Sequence, residues 1–185
     1  MKTSKFFSVA IVAFTMMVGT TSFAQKTKMV GGAAMYPNKN IIENAVNSKD
    51  HTTLVAAVKA AGLVETLEGK GPFTVFAPTN AAFDKLPKGT VETLLKPENK
   101  KMLQGVLTYH VVAGKWSAAD IMAGIKKGNG TYTATTVQGG KLMFKMDGKD
   151  VWVIDEKGGK AKITIADVNQ SNGVIHVVDT VLMHK

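Results

Sequence analysis

Four histidines are the side chains of this sequence best suited to acid–base or metal chemistry. They are His51, His110, His176 and His184. No two stand at the i, i+4 spacing that places a pair of zinc ligands on one helix face, and no carboxylate cluster accompanies them. A buried imidazole often serves a core instead, because one ring nitrogen donates a hydrogen bond while the other accepts one. The spacing therefore predicts structural histidines and neither a metal site nor a catalytic base.

The other residues that carry chemistry form no catalytic pattern either. The chain has no cysteine, which excludes a disulfide, a thiolate metal site and a catalytic thiol. No serine lies in a G-x-S-x-G turn, and no glycine-rich loop has the phosphate-binding pattern. Asp147, Asp150, Asp155 and Glu156 crowd one predicted hairpin but lack the geometry of a calcium loop, so we interpret them as a solvated rim. We expect no enzymatic activity and no cofactor.

The positive charge of the chain comes from lysine alone. All 23 basic residues are Lys, against 14 acidic residues, and the formal net charge is +9. Arg grips phosphates and guanine edges with a planar fork, so its absence argues against a nucleic-acid partner. The lysines are scattered and are typical of a solvated surface. The alternative is weak attraction to anionic polysaccharide or lipid headgroups.

The first 24 residues have the pattern of a secretory signal peptide. Lys2 and Lys5 precede an apolar stretch over residues 6–19, and Ser22 and Ala24 are small residues at the positions that a signal peptidase reads. We expect cleavage after Ala24, a secreted or periplasmic protein, and no stable membrane insertion after cleavage. A retained N-terminal anchor is the alternative. Residues 25–36 are interpreted as a flexible leader, and residues 37–185 as one domain.

The hydrophobic pattern of the chain changes from helical spacing in the first half to strand alternation in the second half. Helix signals come first: Asn40 with Glu43, Asp50 before a helix that Gly62 ends, and Ser117 with Asp120. A short strand over residues 73–77 ends at Pro78, and short helices are predicted at 80–86, 91–95 and after Pro97. Strands then follow at 131–137, 142–146, 151–154, 163–165 and 174–183. Helices followed by a strand meander predict an α+β domain.

Three stretches of the chain stand out as motifs: residues 73–83 (FTVFAPTNAAF), Tyr109-His110, and residues 172–182 (NGVIHVVDTVL). In order and spacing they resemble the first block, the Tyr-His motif and the second block of the fasciclin (FAS1) domain family. The resemblance implies a compact domain in which N-terminal helices pack on a small β-sandwich or wedge of mostly antiparallel strands. Most of the motif residues are interpreted as architecture: Phe76, Pro78, Thr79, Asn80, Phe83, Asn172, Gly173 and His176.

The same resemblance implies extracellular adhesion or ligand binding. We therefore expect an exported, non-catalytic, monomeric interaction module that binds a cell-surface protein or polysaccharide. The alternative is a carrier of a small hydrophobic ligand such as a carotenoid. In animal adhesion relatives an Asp-Ile pair before the second block is implicated in receptor binding, and Asp167-Val168 stands at that position here, with the Asp kept and the Ile replaced. The resemblance therefore implies four candidate binding residues: Tyr109, His110, Asp167 and Val168. We expect His110 to fix its junction by a hydrogen bond and Tyr109 to form an exposed recognition edge.

Overall fold

One mixed sheet of seven strands forms the frame of the domain. The structure, a computed structural model, describes residues 27–185, so the predicted signal peptide and its cleavage site lie outside the described residues. The seven strands are β3 (Phe73–Pro78), β4 (Val111–Ala113), β5 (Tyr132–Thr135), β6 (Lys141–Asp147), β7 (Asp150–Ile154), β8 (Lys160–Gln170) and β9 (Gly173–Val178). Their spatial order is β4-β3-β9-β8-β7-β6-β5. Only the β3–β9 pair is parallel.

Strand β8 turns the sheet into a wedge. Its first residues pair with β7, and its last residues pair with β9. Two register shifts interrupt the β8–β9 ladder between Ile163 and Val168. Such irregularities bend a strand and increase its local twist, so the β5–β7 meander and the central strands lie on differently oriented parts of one sheet.

Seven helices surround the sheet in the described residues. They are α1 (Ile41–Ala45), α2 (Thr52–Ala61), α3 (Val64–Glu68), α4 (Asn80–Asp84), α5 (Thr90–Leu94), α6 (Lys100–Tyr109) and α7 (Ala118–Lys127). Short 3-10 helices span Lys49–His51 and Pro97–Asn99. The predicted α+β architecture, with helices packed on mostly antiparallel strands, is confirmed.

Local capping chemistry fixes several helix ends as the sequence predicts. Capping boxes form between Asn40 and Glu43 and between Ser117 and Asp120. The helix α2 ends at Gly62, which adopts the left-handed conformation with φ +69. The predicted role of Asp50 is wrong, because Asp50 lies inside the 3-10 helix that precedes α2 and does not cap it.

Two hydrophobic cores lie on opposite faces of the central strands. Val75 and Ile175 point into the larger core with the helices α1, α2 and α6. Phe76 points the other way, into a smaller core that contains Phe144 and Ile121. Successive side chains of a strand alternate between faces, so the parallel pair β3–β9 supplies both cores at once.

The predicted flexible leader is wrong for residues 28–35. They form a hairpin of β1 (Lys28–Val30) and β2 (Ala33–Met35), and both Val30 and Met35 are buried in the larger core. The buried Asn44 accepts from the Tyr36 backbone N–H at 2.9 Å and donates to the Tyr36 carbonyl at 2.8 Å. Two apolar contacts and this amide pair hold the hairpin in place.

The last predicted strand is also shorter than expected. Strand β9 ends at Val178, whereas its apolar pattern continues to Met183. Residues after Asp179 leave the ladder, yet Val181 and Leu182 are buried because they cover the two cores as an irregular segment. The apolar run over residues 174–183 therefore predicted the burial of these residues correctly but overestimated the length of the strand.

Candidate functional site

His110 joins the end of α6 to the C-terminal segment. Its Nδ1–H donates to the Val106 carbonyl at 2.8 Å, and its Nε2 accepts from the Leu182 backbone N–H at 3.0 Å. The ring is buried, and burial lowers its pKa to about 4, which keeps it neutral at pH 7. The predicted structural hydrogen bond of His110 is confirmed, with both partners on the backbone.

Tyr109 is fully buried, so the expected exposed recognition edge is wrong at this residue. Its hydroxyl donates to the Lys141 carbonyl at 2.8 Å and accepts from the Glu156 backbone N–H at 3.1 Å. Burial raises the pKa of Tyr109 to about 12. The helical turn at the end of α6 points the ring between the strands, and the hydroxyl finds its partners there instead of in water.

The Asp167-Val168 pair divides between surface and core. Val168 is buried in the larger core, which excludes its side chain from direct contact with a partner. Asp167 is half-buried, adopts φ +54, and accepts a hydrogen bond from the Ala118 backbone N–H at 2.7 Å. Asp167 is therefore the only one of the four predicted binding residues with a partly exposed side chain.

His176 cross-links β9 to the segment before α7. Its Nε2–H donates to the Trp116 carbonyl at 2.8 Å, and its Nδ1 accepts from the Asp167 backbone N–H at 3.3 Å. Burial lowers the pKa of His176, and its ring stacks on Phe76 with centroids 5.7 Å apart. A neutral ring with two backbone partners is a structural group, as its apolar strand predicts.

The remaining motif residues hold loops to the central strands. The Asn172 amide accepts from the Ile41 N–H at 3.0 Å and donates to the carbonyls of Leu67 and Gly69 at 2.7 and 2.9 Å. Sequence reasoning missed this role of Asn172, because turn propensity was its only signal. Gly173 lies against the Phe73 backbone, where a Cβ atom has no room.

The first signature block ties two helices together. The Thr79 hydroxyl caps α4 by accepting from the Ala82 N–H at 3.3 Å. The Asn80 side chain accepts from the Thr53 N–H at 3.0 Å and donates to the Lys49 carbonyl at 2.9 Å. Phe83 is buried, as predicted. Each polar group of this block is used inside the domain, which supports its interpretation as architecture.

The profile of the Fasciclin domain matches residues 49–184. The chain belongs to the fasciclin family. It is 46% identical over 185 residues to Protein sll1483 of Synechocystis sp., with 94% of this chain and 95% of that protein covered. It is 37% identical to Immunogenic protein MPB70 of Mycobacterium bovis, over 75% of this chain and 66% of that one. Cell surface glycolipoprotein MPB83 of Mycobacterium bovis is 34% identical, over 86% and 67% of the two chains.

A solved structure gives the same fold. The FAS1 domain pair from the insect cell adhesion molecule Fasciclin I superposes with a TM-score of 0.71 at 16% identity. The match covers 80% of this chain and 51% of that chain. At this identity the likeness supports the fold alone.

Between its helices and its central strands, the fasciclin domain contains an apolar cavity of about 70 Å³. Side chains from α1, α2, α3, β3 and β9 line it, including Leu54, Leu67, Val75 and Ile175. His51 is also in the lining; its Nδ1 contacts the Ser48 hydroxyl at 2.8 Å, and its Nε2 makes no hydrogen bond with the described residues. Burial lowers the pKa of His51. The cavity suits a small, mostly apolar molecule.

The outer face of the β5–β7 meander combines lysines with apolar side chains. Along β6, buried Leu142 and Phe144 alternate with exposed Lys141, Met143 and Lys145. The outward residues of β7 and β8 include Trp152, Ile154, Lys160 and Lys162, so a half-exposed indole lies among lysines.

Two features are absent from the described residues: a cluster of three or more metal-ligand side chains, and a helix able to span a membrane. Within residues 27–185, no group of three or more His, Asp or Glu side chains is placed to hold a metal ion. In the same range, every helix is too short or too polar to span a bilayer.

Proposed function

We propose that this protein is an exported, non-catalytic adhesion module that binds a component of the cell surface or extracellular matrix. The observation that carries the proposal is its relationship to Cell surface glycolipoprotein MPB83, at 34% identity over 86% of this chain. The buried histidines support it, since His110 and His176 spend both ring nitrogens on backbone partners and leave none for a substrate. Among the predicted contact residues, we propose Asp167 as the one able to touch a partner directly.

Binding of the purified protein to cells of its own host tests this function. Fluorescently labelled protein covering residues 25–185 is titrated onto intact cells and onto an isolated envelope fraction. We expect saturable binding that unlabelled protein displaces and that heat-denatured protein does not reproduce. Binding that never saturates, or that denatured protein matches, would contradict an adhesion module.

The apolar cavity favours a second candidate function, a carrier of a small hydrophobic ligand. A volume of about 70 Å³ holds only a few carbon atoms and is much too small to enclose a carotenoid. The cavity therefore favours a compact apolar molecule over the polyene named as an example above. Organic extraction and mass spectrometry of protein purified from the host test this candidate: a stoichiometric small molecule supports it, and an empty extract argues against it.

A further inference from the structure

The outer face of the β5–β7 meander combines an apolar centre with a basic surround. Lys145 of β6, Trp152 of β7 and Lys162 of β8 are direct cross-strand neighbours in one row. Met143 and Ile154 are paired in the adjacent row, with Lys160 beyond them on β8. Neighbouring strands lie about 4.8 Å apart, so the two lysines of the Trp152 row stand roughly 10 Å from each other across the indole.

Three lysines of this face are available to a partner. Lys141, Lys145 and Lys160 are exposed and form no ion pair with the described residues. Lys162 is held at the indole's side by an ion pair with Asp150, with Nζ and Oδ2 2.6 Å apart. Asp150 and Asp147 are paired at the β6–β7 turn, and at the opposite end of the face the Glu156 carboxylate accepts from the Lys141 backbone N–H at 3.0 Å. Between these two ends, the charged residues in the rows of Trp152 and Ile154 are Lys145, Lys160 and Lys162.

The indole N–H of Trp152 is also free within the described residues. The other tryptophan of the chain, Trp116, donates its indole N–H to the Ala113 carbonyl at 2.9 Å, whereas no described residue accepts from the indole N–H of Trp152. Tryptophan on a half-exposed surface offers an apolar ring face and one hydrogen-bond donor together. A bound molecule that suits both needs C–H surface for the ring and an oxygen acceptor for the donor.

We propose that this face is a binding site for an acidic polysaccharide, with a sugar ring stacked on Trp152 and its carboxylates beside Lys145 and Lys160. Sugars present the C–H faces and oxygen acceptors that the indole requires, and uronate carboxylates complement the lysines. The inference rests on the proposed adhesion function and names the chemical class of the partner. A lysine ammonium group is a point charge and lacks the planar fork with which Arg grips an anion. A face with lysines alone therefore favours a polymer that is held by many weak contacts.

The shape of the face distinguishes a polysaccharide from a lipid bilayer. Trp152 and Ile154 are only half-exposed, and Trp152 lies between Lys145 and Lys162, so the face offers little apolar surface to the acyl region. An extended polymer chain makes its contacts along a flat surface. We therefore treat binding to anionic vesicles as an outcome that would overturn the proposal.

Calorimetric titration with polygalacturonate tests the site on the full mature chain, with neutral pullulan as the comparison polymer. We expect binding to polygalacturonate only, weakening steeply between about 50 and 300 mM salt as charge contacts are screened. Trp152→Thr, which keeps a residue suited to an outward strand position, should weaken binding at least about tenfold. Lys145→Gln combined with Lys160→Gln should do the same.

A matched double variant separates the site from overall charge. Lys96→Gln combined with Lys101→Gln removes the same two charges from exposed positions in and before α6. This control should bind polygalacturonate within about twofold of the wild type, and circular dichroism melts should confirm that all variants are folded. An equal loss in the control, binding of anionic phospholipid vesicles in place of the polymer, or no binding of polygalacturonate would each overturn the proposal.

The same variants keep this inference separate from the adhesion function itself. If Trp152→Thr loses polygalacturonate but still binds host cells saturably, the face is not the adhesive site, and the module binds through another surface. If the wild type binds polygalacturonate and not host cells, the site stands and the proposed adhesion function fails.

Discussion

At the scale of single residues, His110 makes folding depend on pH. Its pKa is about 4 in the folded protein and 6.5 for an ordinary histidine, so the unfolded chain binds the proton more readily between these values. Stability should therefore fall as pH drops from about 6.5 to 4 and then level off for this group. His51 and His176, whose pKa values burial also lowers, act in the same direction.

Urea unfolding at pH 7 and pH 4 measures this effect. Between pH 7 and pH 4, the free energy of unfolding should fall by up to about 3 kcal/mol more for the wild type than for His110→Gln, because glutamine keeps a polar side chain but cannot titrate. At pH 7 the variant should be less stable by about 1–3 kcal/mol, since the Val106 and Leu182 backbone groups lose their partner. Identical pH profiles for the two proteins would show that His110 is not the titrating group.

Asn172 is the second residue on which stability should depend strongly. Replacing it with Ala leaves the Ile41 N–H and the carbonyls of Leu67 and Gly69 without their partner, and should lower the free energy of unfolding by about 3 kcal/mol. The neighbouring Ser171→Ala is the control and should stay within about 0.5 kcal/mol, because its side chain is exposed. Equal denaturation midpoints for the two variants would show that the hydrogen bonds of Asn172 do not stabilise the fold.

The sequence predicts the conformation of such residues better than their partners. The capping residues follow from local chemistry, because Asn40 and Glu43, like Ser117 and Asp120, are three positions apart. The structural role of His176 follows from its apolar strand, although its partner Trp116 is 60 positions away. Tyr109 and Asn172 make contacts across 32 to 131 positions of the chain. Nothing local encodes which strand edge receives the Tyr109 hydroxyl, and for that reason its expected exposure was wrong.

At the scale of elements, the N-terminal hairpin should be sensitive at one glycine and tolerant at the next. Gly31 has φ +57, and a Cβ there would collide with the Ser48 hydroxyl and the Asp50 backbone. Gly32 has φ +76 but no neighbour within 4 Å. Gly32→Ala should cost about 1 kcal/mol from backbone strain, and Gly31→Ala at least about 2 kcal/mol more. Chemical denaturation of both variants gives the difference, and equal costs would mean that the hairpin is not docked.

The helix α4 depends on one aromatic anchor. Phe83 is buried in the larger core, and Phe83→Ala should lower the free energy of unfolding by about 3–5 kcal/mol. Met102 on α6 is an exposed apolar residue, so Met102→Ala should change stability by less than about 0.5 kcal/mol. A loss below 1 kcal/mol for Phe83→Ala would show that α4 is not fixed to the core by this ring.

Whether a segment forms a helix or a strand was predictable, because hydrophobic period and capping are local properties. Which residues belong to each strand was less predictable. The hairpin over residues 28–35 escaped prediction since its strands have three residues each and its glycines imitate a linker. The end of β9 escaped because burial against two cores continues past the last ladder hydrogen bond. The candidate binding face was missed as well: an alternating Lys-Met-Lys pattern on β6 was present, but register alone brings Trp152 beside it.

At the scale of the whole molecule, export should shorten the chain. Lys2, Lys5 and the apolar stretch before Ala24 predict that a signal peptidase removes residues 1–24. N-terminal sequencing of protein collected outside the cytoplasm should therefore begin at Gln25. A protein that retains Met1 and fractionates with membranes would establish the anchored alternative.

The parallel pairing of β3 with β9 has a consequence for when this protein can fold. Each residue of β3 pairs with the residue one hundred positions later, so the two central strands meet only after a very long loop closes. The β5–β7 meander, by contrast, needs only short turns and can form early. If the chain is exported N-terminus first, its central pair stays open until the last strand has emerged. The domain then completes its folding only at the end of export. Until β9 has emerged, the chain stays unfolded enough to cross the membrane.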